Sequence, residues 1–164
     1  MCAKCPCGIG EEVVSSAIKQ TGGRIDPAIE GSTRMDHKLK LQLLDEKFAI
    51  CKMPQFAELP SVFAKGEMCF VMRTDEDLTI ISPEFMAPDN GQQEIGFRCI
   101  RTAEQLPSNT PGILVSLVKP LTEVGISVYV VSTFQIDYIF LMEEYLVKAT
   151  QALQHAGHEF VHEG

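Results

Sequence analysis

Between Glu94 and His162 the spacing of apolar residues switches back and forth between alternation and a helical repeat, and that order of periods leaves few folds open. Phe97, Cys99 and Arg101 fall on one face at a spacing of two, which predicts a strand over Gly96 to Arg101. Ile113, Leu114, Leu117, Val118, Leu121 and Val124 then recur as one helical face, closed by Gly125. Ile126, Val128 and Val130 alternate again, a polar turn Ser132 to Gln135 follows, and Ile136 to Met142 returns as an antiparallel partner. Glu143 and Glu144 suit the positive end of a second helix, whose inward stripe is Leu146, Ala149, Thr150 and Leu153. Gly157 ends it, and Glu159 to Val161 reads as a short edge strand. Strand, helix, strand, strand, helix, strand is sufficient for a two-layer α+β domain with antiparallel sheet and helices on one face.

The segment before this stretch is less complete. Leu39, Leu41 and Leu43 alternate with polar residues, Asp45 to Lys47 resemble a charged turn, and Phe48 to Met53 begin a second apolar stretch, so the pair predicts a hairpin. A short helix is expected between Pro54 and Gly66, with Phe56, Leu59 and Phe63 about one turn apart. Met68 to Met72 and Leu78 to Ile81 predict two more strands about the solvated turn Arg73 to Asp77. Glu84 to Gln93 has turn formers and no periodicity, and marks a boundary. The expected organisation is a flexible N-terminal tail over residues 1–34, a partial unit over 35–93 and a complete unit over 94–164.

Charge narrows the partners. A net charge of −8 over 164 residues argues against a nucleic-acid binder, which needs a concentrated basic surface. No apolar run is long enough to cross a bilayer and the first residues lack a signal-peptide core, so the expectation is a cytoplasmic protein without a membrane partner. Cys2, Cys5 and Cys7 crowd the tail, but three thiols with no histidine before His37 fall short of a structural zinc site. His155, His158 and His162 are loosely spaced, and Gly157 separates their directions. Cys51, Cys69 and Cys99 read as buried small hydrophobes. No metal or cofactor is expected, and the sequence holds no phosphate loop, dinucleotide fingerprint or HExxH pair.

Two elements carry candidate recognition chemistry. Thr110 before Pro111 predicts a capped helix start, and Gly112 lets a small carboxylate approach the amides of Ile113 and Leu114; simple capping is the competing account. Pro120 inside the helix predicts a kink or loss of the bond back to Ser116. Asp137 opens an apolar strand beside Ser132 and Thr133, where its charge needs a partner or the residues form an ordinary turn. Together the two elements bracket a zwitterion, with Tyr129, Phe134 and Tyr138 available to cover its aliphatic part.

The segments FAICKMP, MRTDEDLTIISPE, GFRCIR, TPGILVSLVKPLTEVGISVYVVSTFQIDYIFLMEEYL and LQHAGHEF resemble the small tandem ACT-domain proteins, relatives of the ACT modules of aspartate kinases and of the cytosolic arginine sensors of animals. The resemblance runs from Leu43 to Phe160 and is densest in KPL-x-E-x-GIS and ST[FY]-x-x-D-[FY]. It implies ferredoxin-like tandem units that share strands, and a noncatalytic regulatory or sensor role in which an amino acid binds at an interface between units. It also implies a homodimer and a regulated protein partner. Matched residue by residue, it places Gly112 and Ile113 at the ligand turn, Ile126 and Ser127 on the strand lining the interface, and Phe134 and Asp137 in the motif that holds the amino acid. Arginine is not carried over, because those sensors hold more units than this chain has room for. The alternative is a structural or protein-interaction module whose ligand pocket is vestigial.

Overall fold

A computed structural model describes residues 37–64, 68–105 and 110–161 of the chain. The expectations for Cys2, Cys5, Cys7, the N-terminal tail and His162 lie outside the described residues. The elements in order are β1 (Lys40–Pro54), a 3-10 turn (Ser61–Ala64), β2 (Phe70–Arg73), β3 (Asp77–Pro83), β4 (Gln92–Thr102), α1 (Ile113–Glu123), β5 (Tyr129–Ser132), β6 (Asp137–Met142), α2 (Leu146–His155) and β7 (Glu159–Phe160). Two further 3-10 turns are Glu84–Met86, directly after β3, and Glu143–Tyr145, which leads directly into α2.

Among the described residues one sheet of seven strands runs in the order β2, β3, β1, β4, β6, β5, antiparallel throughout except where β7 joins β1 in parallel at Lys40 and Leu41. The expected hairpin about Asp45 to Lys47 does not form. β1 passes straight through the charged triplet because both of its halves pair with the same neighbour: Leu41 to Leu43 with Thr102 to Ile100, and Lys47 to Lys52 with Arg98 to Gln92. The surplus residues are absorbed as a bulge between Leu43 and Lys47. A second irregularity lies on β4 at Gly96, whose φ of 87° only glycine adopts without strain. The helix expected before Gly66 is reduced to the Ser61–Ala64 turn, with Phe63 buried and Phe56 exposed. Pro60 shortens what that segment can form.

Alternation along the strands builds two faces. On one, Leu41, Ile100, Ile139 and Leu141 meet Leu117 and Leu121 of α1 and Ala149 and Leu153 of α2, so both helices pack on the same side. Each fully buried leucine there contributes about 1.5–3 kcal/mol. Farther along that face, Ala49, Cys51, Leu78 and Ile80 are covered by Phe63. The opposite face gathers Phe48, Ile81, Phe97, Cys99 and Phe140. Phe70 of β2 stands 4.9 Å from the Tyr138 ring and 5.8 Å from the Phe140 ring of β6. Four strand spacings of about 4.8 Å would hold those strands far apart in a flat sheet. The sheet is therefore curled, and β2 folds over a trough on the side away from the helices.

Pro120 remains inside α1. Having no amide hydrogen, it leaves the Ser116 carbonyl without its usual partner, and His158 supplies one: its Nε2 lies 3.0 Å from that oxygen. The other ring nitrogen, Nδ1, accepts from the Leu39 amide at 3.2 Å. Those two partners define a neutral ring protonated on Nε2. His158 is thus a buried strut between β1 and α1.

Candidate functional site

The first turn of α1 is built differently from the sequence expectation. Pro111 and Gly112 form a turn ahead of the helix, and Gly112 is the cap, at φ 87° and ψ −5°, with no side-chain hydrogen bond capping it. Thr110 is displaced from the capping position, because the left-handed glycine places the chain reversal after it. The Gly112 carbonyl accepts from the Ser116 amide at 2.9 Å, which leaves the amides of Ile113, Leu114 and Val115 without intrahelical acceptors. His37 steadies the approach to this turn, its Nε2 3.0 Å from the Pro111 carbonyl.

Facing it is the turn between β5 and β6. Ser132 pairs with Asp137 at the end of the ladder. Thr133 closes the loop: its amide and hydroxyl donate to the Ile136 carbonyl at 3.0 and 2.8 Å, and the Ile136 amide donates back to the hydroxyl at 3.1 Å. The Asp137 amide donates to the buried Thr102 hydroxyl at 3.2 Å. That bond holds Asp137 to the end of β4, while its half-buried carboxylate takes part in none of the ion pairs among the described residues.

The two elements enclose a cleft of about 240 Å³. Gly112, Ile113, Leu114, Ser132, Thr133, Phe134 and Asp137, all singled out from the sequence, line it, together with Thr110, Gln135 and Ile136, which the sequence did not place there. Positive helix end and carboxylate thus lie on one concavity, with Phe134 84 % exposed at its rim.

Four expected residues lie elsewhere. Ile126 and Ser127 precede β5 instead of forming part of it; Ile126 is buried in the helix-side core and Ser127 is exposed, and neither lines the cleft. Tyr129 and Tyr138 fall on the trough side. Side chains alternate along β6, so Asp137 shares the helix side with Ile139 and Leu141 while Tyr138 points the other way, against Phe70.

Comparison with known proteins agrees with this architecture. Residues 93–155, the segment that runs from β4 through α1, β5 and β6 to α2, match the family model of the ACT domain. Among solved structures it is similar to a protein of Agrobacterium tumefaciens at 26 % identity and a TM-score of 0.72, the match covering 78 % of this chain and 96 % of that one. A Vibrio cholerae protein of unknown function, described as a possible transport protein, superposes at a TM-score of 0.59 with 20 % identity over 78 % of this chain and 98 % of its own. The regulatory subunit of aspartate kinase from Thermus flavus shares the fold at a TM-score of 0.52 and 11 % identity, covering 73 % and 99 %. No curated protein matches the sequence significantly.

Proposed function

We propose that this chain is a noncatalytic regulatory protein that binds an amino acid in the cleft between Gly112 and Asp137. The observation that carries the reading is the meeting of two complementary groups on one small concavity: unpaired amides at the start of α1 for the ligand's carboxylate, and the Asp137 carboxylate for its ammonium. Leu114, Ile136 and Phe134 supply apolar contact for the rest. The ACT match and the fold shared with an aspartate kinase regulatory subunit support the same class of role. In this reading residues 35–93 and 94–164 are two ferredoxin-like units that share strands, and a second copy closes the exposed Phe134 side as a cytoplasmic homodimer. Occupancy would favour one arrangement of the two copies, which a protein partner reads; no bond is made or broken. Among the described residues no helix is long and apolar enough to cross a membrane.

Calorimetry and thermal shift against all the common amino acids test this directly. One or a few should raise the melting temperature and bind saturably, and Asp137→Ala should weaken that binding by about tenfold or more. A folded protein that responds to none of them rejects the proposal. The alternative, an interaction module with a vestigial pocket, draws on Phe56 and Phe85, which are 87 % and 83 % exposed and lie away from the cleft. A stoichiometric protein partner whose binding ignores every amino acid would favour it.

A further inference from the structure

A second cleft, of about 270 Å³, opens on the trough side of the sheet, where β3, β1, β4 and β5 present Thr79, Ile50 and Lys52, Gln92 and Glu94, and Tyr129. It shares no lining residue with the Gly112–Asp137 cleft. Ile50 is buried at its base, and the Tyr129 ring is held on edge against Phe97, with centroids 5.6 Å apart and planes at 82°. The Tyr129 hydroxyl donates to one Glu94 oxygen at 3.4 Å. Burial, reinforced by the Glu94 charge, pushes the phenol above its usual range, so it stays protonated and keeps donating.

The charges lining this cleft are not equivalent. Lys52 is already engaged by Asp77 at 3.4 Å and is 62 % exposed, so its ammonium is largely satisfied by the carboxylate and by water. Asp77 in turn accepts from the Thr79 hydroxyl, whose lone pairs remain available. Glu94 belongs to none of the ion pairs among the described residues. Its carboxylate is the one formal charge of the lining without a counter-charge among those pairs, and an apolar base with an aromatic wall lies beside it. An ammonium group offers three donors, which suits the carboxylate and neighbouring hydroxyl oxygens, and its hydrocarbon suits Ile50 and the Tyr129 ring. The geometry points to a binding site for the ammonium end of a small amphipathic amine, with the charge on Glu94 and the hydrocarbon over Ile50 and Tyr129.

The sign of the charge effects tests this site. Benzylamine, titrated into the full chain and followed by amide shifts in a heteronuclear NMR spectrum, should move Ile50, Thr79, Glu94 and Tyr129, and benzoate should not. Glu94→Gln should weaken benzylamine by about fivefold or more, whereas Lys52→Met, which removes a nearby like charge, should strengthen it by up to about fivefold. Both positions are exposed, so the variants should keep the wild-type spectrum, and Asp137→Ala should leave the titration unchanged. Three results overturn the proposal: benzoate binding in preference, both variants shifting affinity in the same direction, or no saturable shift in these residues up to about 10 mM benzylamine. None of them bears on the amino-acid cleft, whose own variant and ligands are different.

Discussion

Giving position 120 an amide hydrogen would restore to α1 the bond that proline removes, and this makes the role of His158 separable. His158→Ala leaves the Leu39 amide and the Ser116 carbonyl without partners inside the protein, at a cost of about 1–3 kcal/mol for a buried group left unsatisfied. In a Pro120→Ala background the Ser116 carbonyl regains a helical donor, so the same His158→Ala change should cost less, by about 0.5 kcal/mol or more. Urea denaturation of the four proteins in the cycle checks it, and strict additivity would show that His158 is not the group securing Ser116. The sequence made the missing bond at Ser116 legible through Pro120 alone. It did not reveal His158 as the substitute, since contact between residues that distant in the chain depends on β7 docking beside β1. Cysteine chemistry is also decided residue by residue. Burial pushes the thiols of Cys51 and Cys99 above their usual range, most strongly at Cys99. Both should resist iodoacetamide in the native protein and react once it is unfolded in denaturant, as peptide mass spectrometry would show; rapid native labelling of Cys99 would contradict its packing.

At the scale of elements, local hydrogen bonding explains which parts of the site could be read in advance. The β5–β6 turn closes through Thr133 and Ile136, only a few residues apart, so STFQID announces its own geometry. β1 misleads because Asp-Glu-Lys has turn composition, and only the shared pairing with β4 reveals that the strand continues. Gly112 is an intermediate case: glycine at a helix start was visible, but its left-handed angle, which excludes Thr110 from capping, was not. Gly112→Ala should therefore destabilise the fold by about 1–2 kcal/mol, the cost of placing an alanine in that region, measurable as a lower denaturation midpoint at unchanged slope. The turn that leads into α2 makes a pH prediction. Lys47 donates to Glu143 at 2.6 Å and, with Arg98 at 3.5 Å, holds its carboxyl below the usual value of 4.5. Because the folded value is the lower one, the contribution is present above about pH 4.5 and disappears as pH falls through the folded value. The stability gap between wild type and Glu143→Gln should accordingly be larger at neutral pH than in strong acid. It should also shrink in high salt, since the pair is exposed; a gap that widened on acidification would refute the assignment.

For the whole molecule, the consequential feature is that β1 is central. It pairs with β3 along Phe48 to Pro54, with β4 along nearly its full length, and with β7 at its start. Sequence periodicity over residues 94–164 suggested a unit complete in itself, and the ACT match covers much of that segment. The sheet shows what such a segment lacks. Without β1, one edge of β4 exposes its backbone donors and acceptors, and Ile100, Ile139 and Leu141 lose Leu41 from their cluster. Phe97, Cys99 and Phe140 lose Phe48 and Ile50, and the trough loses β2 with the Phe70 ring that closes it. His158 loses the Leu39 amide as well. These deficits fall on both faces at once, so they exceed what a domain of that size has in reserve, a net stability of only about 5–15 kcal/mol. A fragment spanning residues 94–164 should therefore give the narrow amide dispersion of an unfolded chain and no cooperative thermal transition. Adding a separately expressed 35–93 fragment should restore both if the two segments divide the sheet as shared-strand units. A monomeric 94–164 fragment that melts cooperatively on its own would instead mean that β1 is an accessory to an autonomous domain, and that the Gly112–Asp137 cleft, unlike the one lined by Ile50 and Lys52, does not need β1 to exist.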